Sequence, residues 1–99
     1  MEEKKKPDVN VEIQLDEEVA QGVYANLAVV NHSETEFVLD FVFMQPQAVR
    51  GKVRSRVITS PQHYKRLLLA MEENLRKYEQ TFGAVPAGPV VPAPIGSYN

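Results

Sequence analysis

His32 and His63 are the two histidines of a 99-residue chain that contains no cysteine. A protein metal site gathers three or four donors at close spacing, and two imidazoles 31 residues apart, one in a polar turn and one at a helix start, do not supply them. Ser60, His63 and Asp40 are the residue types of a hydrolytic triad. Ser60 is better explained as a helix cap and His63 as a first-turn residue, and the Gly-x-Ser-x-Gly elbow that raises a nucleophile above a sheet is missing. The five glycines are too scattered for a phosphate-cradling loop. The sequence therefore predicts no catalytic residue, no metal ligand and no cofactor, and a protein that is not an enzyme.

The charged residues carry more information. Asp40 is the one charge in an otherwise apolar segment, Phe37 to Met44, and a carboxylate in such a place needs a partner, because an unpaired buried charge costs several kcal/mol. Arg54 and Arg56 stand at alternate positions of the next predicted strand, so the expectation is an ion pair from Asp40 to Arg54 or Arg56. Asn26, central in its own predicted strand and of matching parity, is expected to join that polar cluster. A ligand contact is the functional reading of the same residues.

Charge is also divided along the chain. Residues 11–47 hold seven acids and no base, whereas residues 48–83 hold eight bases against Glu72, Glu73 and Glu79, so the net charge of −2 hides two halves of opposite sign. Arg50, Lys52, Arg54, Arg56, Lys65 and Arg66 follow one another without an acid between them. A regular strand from Arg50 would put the first four on one face, able to neutralise several phosphates in a salt-dependent way. The acids of the first half are expected to neutralise that stripe within the fold.

These residues must be positioned by a small scaffold. Residues 1–10 are short and charged, with Pro7, and residues 84–99 carry four prolines and no charge; both read as disordered tails. Residues 11–83 then form a single domain. No apolar run reaches the ~20 residues of a membrane span, no signal peptide is apparent, and the absence of cysteine fits a reducing, cytoplasmic setting.

Hydrophobic periodicity within 11–83 predicts an α+β fold: an antiparallel four-stranded sheet followed by one long C-terminal helix, in the order β-β-β-β-α. Val11, Ile13 and Leu15 alternate as a first strand, residues 16–22 connect with one helical turn capped by Asp16, and Val23 to Val30 forms a second strand. Residues 31–35 turn the chain into a third strand, 36–44, and a fourth ends at Thr59. Ser60 caps a helix with Pro61 at its first position and Gly83 as its stop. Tyr64, Leu68, Met71, Leu75, Tyr78 and Phe82 recur at alternating spacings of four and three, an apolar stripe on a rod of roughly 33 Å expected to lie across the sheet.

The third strand makes a lone chain look insufficient. Phe37, Leu39, Phe41 and Phe43 fill one face, and Val38, Val42 and Met44 flank Asp40 on the other, so both faces want burial. One helix covers one face. A second copy is the expected cover for the other, making the chain a homo-oligomer, dimer or higher, with Val38, Val42, Met44, Tyr78 and Phe82 as its interface or apolar binding face. The heptad spacing also permits a helix-to-helix seam. On this assignment an acid at Phe41 abolishes folding, while one at Val42 chiefly dissociates subunits.

Tyr24-Ala25-Asn26, Phe37-Val38-Leu39-Asp40-Phe41, Ser55-Arg56-Val57-Ile58 and the helix ending Tyr78-Glu79 to Phe82-Gly83 resemble the small bacterial and archaeal family known as domain of unknown function 3467, over residues 11–83. The resemblance implies a protein of this length and no particular activity. Four strands followed by a long helix also resemble the core of the export chaperone SecB, by architecture alone. The reading is of a protein-binding or assembly module, holdase-like by that analogy, with a nucleic-acid-binding regulator using the basic strand as the alternative. Arg50, Lys52, Lys65 and Arg66 are its candidate polyanion contacts.

Overall fold

The computed structural model describes residues 10–47 and 49–88. The expected N-terminal tail up to residue 9 and the proline-rich tail beyond residue 88 lie outside the described residues; residues 84–88 have no regular secondary structure. The elements are α1 (Glu17–Ala20), β1 (Leu27–His32), β2 (Phe37–Met44), β3 (Gly51–Thr59) and α2 (Pro61–Phe82). The strands form one antiparallel sheet in the order β1-β2-β3. The α+β class and the long final helix agree with the sequence reading, and the four-stranded sheet does not.

The missing strand is the first. Residues 10–16 take no strand conformation, and Val11, Ile13 and Leu15 lie exposed. Alternation predicts a half-buried strand only where a sheet edge accepts it, and both edges, β1 and β3, remain unpaired among the described residues. The resemblance to the chaperone core is one strand short for the same reason. The turn α1 forms as expected, closed by an Ala20 N–H to Asp16 carbonyl bond of 2.8 Å, but the Asp16 side chain does not cap it.

β1 begins four residues later than predicted, and Asn26 is the cause. Its Oδ1 accepts from the Met44 N–H at 2.8 Å and its Nδ2 donates to the Met44 carbonyl at 3.1 Å. The side-chain amide thus takes the place of the next backbone partner and ends the ladder, releasing residues 23–25 from the sheet. At the other end of the hairpin, the Ser33 N–H donates to the Glu36 carbonyl at 2.9 Å and Ser33 Oγ accepts from the Thr35 and Glu36 N–H groups, a local hydroxyl turn. Gly51 opens β3 opposite Met44. A Cβ there would stand 2.6 Å from Met44 Sδ and 3.0 Å from Val42 Cγ1, so the strand start is open to glycine alone without a shift of those side chains.

Among the described residues the core is small: Val29, Leu39 and Val42 are the buried apolar residues, joined by Asp40. α2 starts as read from sequence. Ser60 Oγ accepts from the His63 N–H at 3.2 Å, Pro61 opens the helix, and Gly83, at φ +99°, donates to the Glu79 carbonyl at 2.9 Å. Tyr64 stacks on Phe37, ring centroids 4.1 Å apart and 8° from parallel. Beyond that tether the helix does not lie across the sheet. None of its residues is buried, and Leu68, Met71, Leu75, Tyr78 and Phe82 are 45%, 50%, 49%, 50% and 72% exposed.

The burial of Val42 changes the expected effect of an acid there. Val42 belongs to the chain's own core, so Val42→Asp buries an unpaired charge and should cost at least ~3 kcal/mol. Loss of far-ultraviolet circular dichroism, as for Phe41→Asp, is the expected result; a folded, dissociated Val42→Asp chain would return Val42 to a subunit interface.

Candidate functional site

Asp40 is fully buried and sits directly across from Arg56 in the β2–β3 register. Arg56 Nε donates to Asp40 Oδ1 at 2.7 Å and Arg56 Nη2 to Oδ2 at 2.9 Å. This side-on, two-bond geometry is the strong form of the arginine–carboxylate pair. The acid side chain is 1% exposed and the arginine side chain 54%, so the guanidinium lies as a polar lid over a buried carboxylate and keeps its outer edge in solvent. No buried side-chain nitrogen or oxygen of the described residues lacks a hydrogen-bond partner.

Of the four residues expected to cluster, the structure brings together Asp40 and Arg56. Asn26 goes to Met44, as above. Arg54 is separated by a β-bulge: Phe41 faces Ser55 but Val42 faces Val53, leaving Arg54 as the extra residue of β3. The bulge reverses the parity of everything before it. Lys52 falls opposite Phe43, on the face away from Arg56, instead of sharing a stripe with it. Phe43, Gln45, Arg50, Gly51, Lys52 and Arg54 line one cleft, three of the six being cations. Among the described residues, Arg56 and Arg76 are the cations held in ion pairs, Arg76 with Glu73 at 2.6 Å. The acids of the first half therefore neutralise Arg56 through Asp40, whereas the described acids form no ion pair with Arg50, Lys52 or Arg54. Lys65 and Arg66 stand on the first turns of α2, beyond the Phe37 end of β2, so the six cations are not one stripe.

The triad types do not assemble. Ser60 is engaged as the cap, His63 follows it in the first turn, and Asp40 is committed to Arg56. His32 packs on Phe37 at 5.2 Å, extending the Phe37–Tyr64 stack. No three carboxylate or imidazole groups of the described residues converge on a metal position. No described helix is long and apolar enough to cross a membrane.

The expected apolar face divides in the same way. Val42 is buried and Val38 and Met44 are half-buried, while Tyr78 and Phe82 stand out on the helix. An open groove along α2 is lined by Ala70, Met71, Asn74, Leu75, Tyr78 and Val85. Val85 reaches it because its N–H donates to Glu79 Oε2 at 2.8 Å, a carboxylate fastening the chain just beyond the helix end. The heptad spacing pointed to this stripe; the contribution of Val85 had no signal in the sequence.

The family described as "Protein of unknown function (DUF3467)" matches residues 1–86, and the chain belongs to that family. Neither the curated proteins nor the solved structures contain a match to it.

Removing Arg56 strips two charge-assisted bonds from a buried carboxylate, and Arg56→Ala should lose about 3–5 kcal/mol of stability in urea denaturation at fixed protein concentration. Replacing both partners, as Asp40→Val with Arg56→Met, should recover most of that loss, because two matched apolar groups need no such bonds. A double variant as unstable as the single one would show that the pair does more than satisfy itself.

Proposed function

We propose that this chain is a non-enzymatic assembly module that works as a homo-oligomer, with the apolar stripe of α2 as its association face. One observation carries the reading. A 22-residue helix with six large apolar residues at heptad spacing leaves five of them about half exposed or more and none buried. Helices owe most of their stability to the packing of an apolar face, and contiguous exposed apolar surface of this kind marks interaction sites. Val30 and Val57, which flank the buried Leu39 in the sheet, are partly exposed as well, adding apolar surface on the sheet face next to Tyr64.

Light scattering at micromolar concentration should give at least twice the 11.2 kDa of the chain. The monomer mass would remove the reading. A monomer that suppressed aggregation of an unfolded protein would replace it with a holdase, in which client segments take the place of the second copy.

A second reading, polyanion binding, is favoured by the cleft around Phe43. Arg50, Lys52 and Arg54 form no ion pair among the described residues and line one cleft with Phe43, a combination of cations and an aromatic side chain of the kind that binds a single-stranded backbone and stacks a base. Single-stranded DNA should then be retarded in a gel at low salt, with the logarithm of affinity falling by about 0.7 per phosphate contacted for each tenfold rise in salt. The double variant Lys52→Ala, Arg54→Ala should abolish the shift. No retardation at low salt removes this reading.

A further inference from the structure

The spacing of the α2 stripe is symmetric about its centre, and this decides how two copies fit. Tyr64, Leu68 and Met71 lie as far before the midpoint at residue 73 as Phe82, Tyr78 and Leu75 lie after it. Two such helices running in opposite directions bring Tyr64 against Phe82, Leu68 against Tyr78 and Met71 against Leu75, each layer occurring twice. We infer that α2 pairs antiparallel with α2 of a second copy in this register, an inference that rests on the oligomer reading.

Charge supports the direction. The positions beside the seam on one flank are Lys65, Glu72 and Glu79, and on the other Leu67, Asn74 and Thr81. In an antiparallel pair each flank meets its own kind, so Lys65 of each copy faces Glu79 of the other, giving two opposite-charge pairs. Glu72 meets Glu72 near the two-fold axis, with Arg76 one turn along the same helix. In a parallel pair the charged flank faces Leu67, Asn74 and Thr81 and gains no ion pair.

The sheet contacts agree. Tyr64 is the one stripe residue already half-buried, held on Phe37 and through it on His32, whereas Phe82 at the far end is the most exposed. The antiparallel register delivers Phe82 of the second copy to the Tyr64 layer, beside that aromatic stack. Stable interfaces cover roughly 800 Å² on each partner, and aromatic side chains such as Tyr64, Tyr78 and Phe82 carry about 150–250 Å² each, so six layers along the helix are of the right scale.

The chain has no cysteine, which makes the register directly testable by oxidation of Leu68→Cys and Tyr78→Cys chains, each alone and mixed, with light scattering on the same samples under reducing conditions. A disulfide-linked dimer that forms in the mixture and not from either variant alone is the expected result. Cross-linking of each variant alone would mean a parallel seam and overturn the inference. An oligomer that cross-links in neither case would overturn it too, since the stripe would then be covered by another surface, and would leave the oligomer reading standing. A monomer would overturn both.

Discussion

The pair Asp40–Arg56 joins a buried carboxylate of the central strand to a half-exposed guanidinium of its neighbour by two bonds of 2.7 and 2.9 Å. Slipping β3 by one residue would turn Arg56 to the opposite face and remove both bonds from Asp40. Hydrophobic pattern sets register only weakly here, because β2 is apolar on both faces; the ion pair supplies the distinction that the apolar residues do not. Buried ion pairs are uncertain contributors to net stability, and specifying one alignment among several is the role that fits this one.

The alignment has consequences along β3. With Arg56 held opposite Asp40, the bulge at Arg54 decides which face receives the remaining cations, and Lys52 comes to lie beside Phe43 and away from Arg56. A run of alternating basic residues thereby becomes one structural arginine and one basic cleft on opposite sides of the sheet. The same ladder places Phe37 under Tyr64, which is where the helix is attached, and α2 departs from the sheet at the end opposite the cleft.

Much of this was legible in the sequence. Ser60, Pro61 and Gly83 bounded α2 to the residue, since capping is chemistry local to a few positions. The need of Asp40 for a cation was equally local, and the choice between Arg54 and Arg56 was not, because it depends on the bulge. Val11, Ile13 and Leu15 show the limit of periodicity: alternation states that a segment can be half-buried and says nothing about whether a partner edge exists. Asn26 shows another limit. A polar residue in a predicted strand gave no sign that its side chain would replace the backbone of the next residue and end the strand there.

By itself the sequence determined the strand that became β2, the capped helix α2 with its apolar stripe and the residues by which the family is recognised, because these follow from propensity, capping and short-range spacing. Only the tertiary structure decided that β1 stops at Asn26, that the basic residues part at the bulge, and that the stripe of α2 is left uncovered by its own sheet. Those outcomes depend on cross-strand register and on how far the helix leans from the sheet, both set by contacts between residues distant in sequence. The sequence spaced the stripe as a face that can be buried; the fold of the described residues leaves that face exposed.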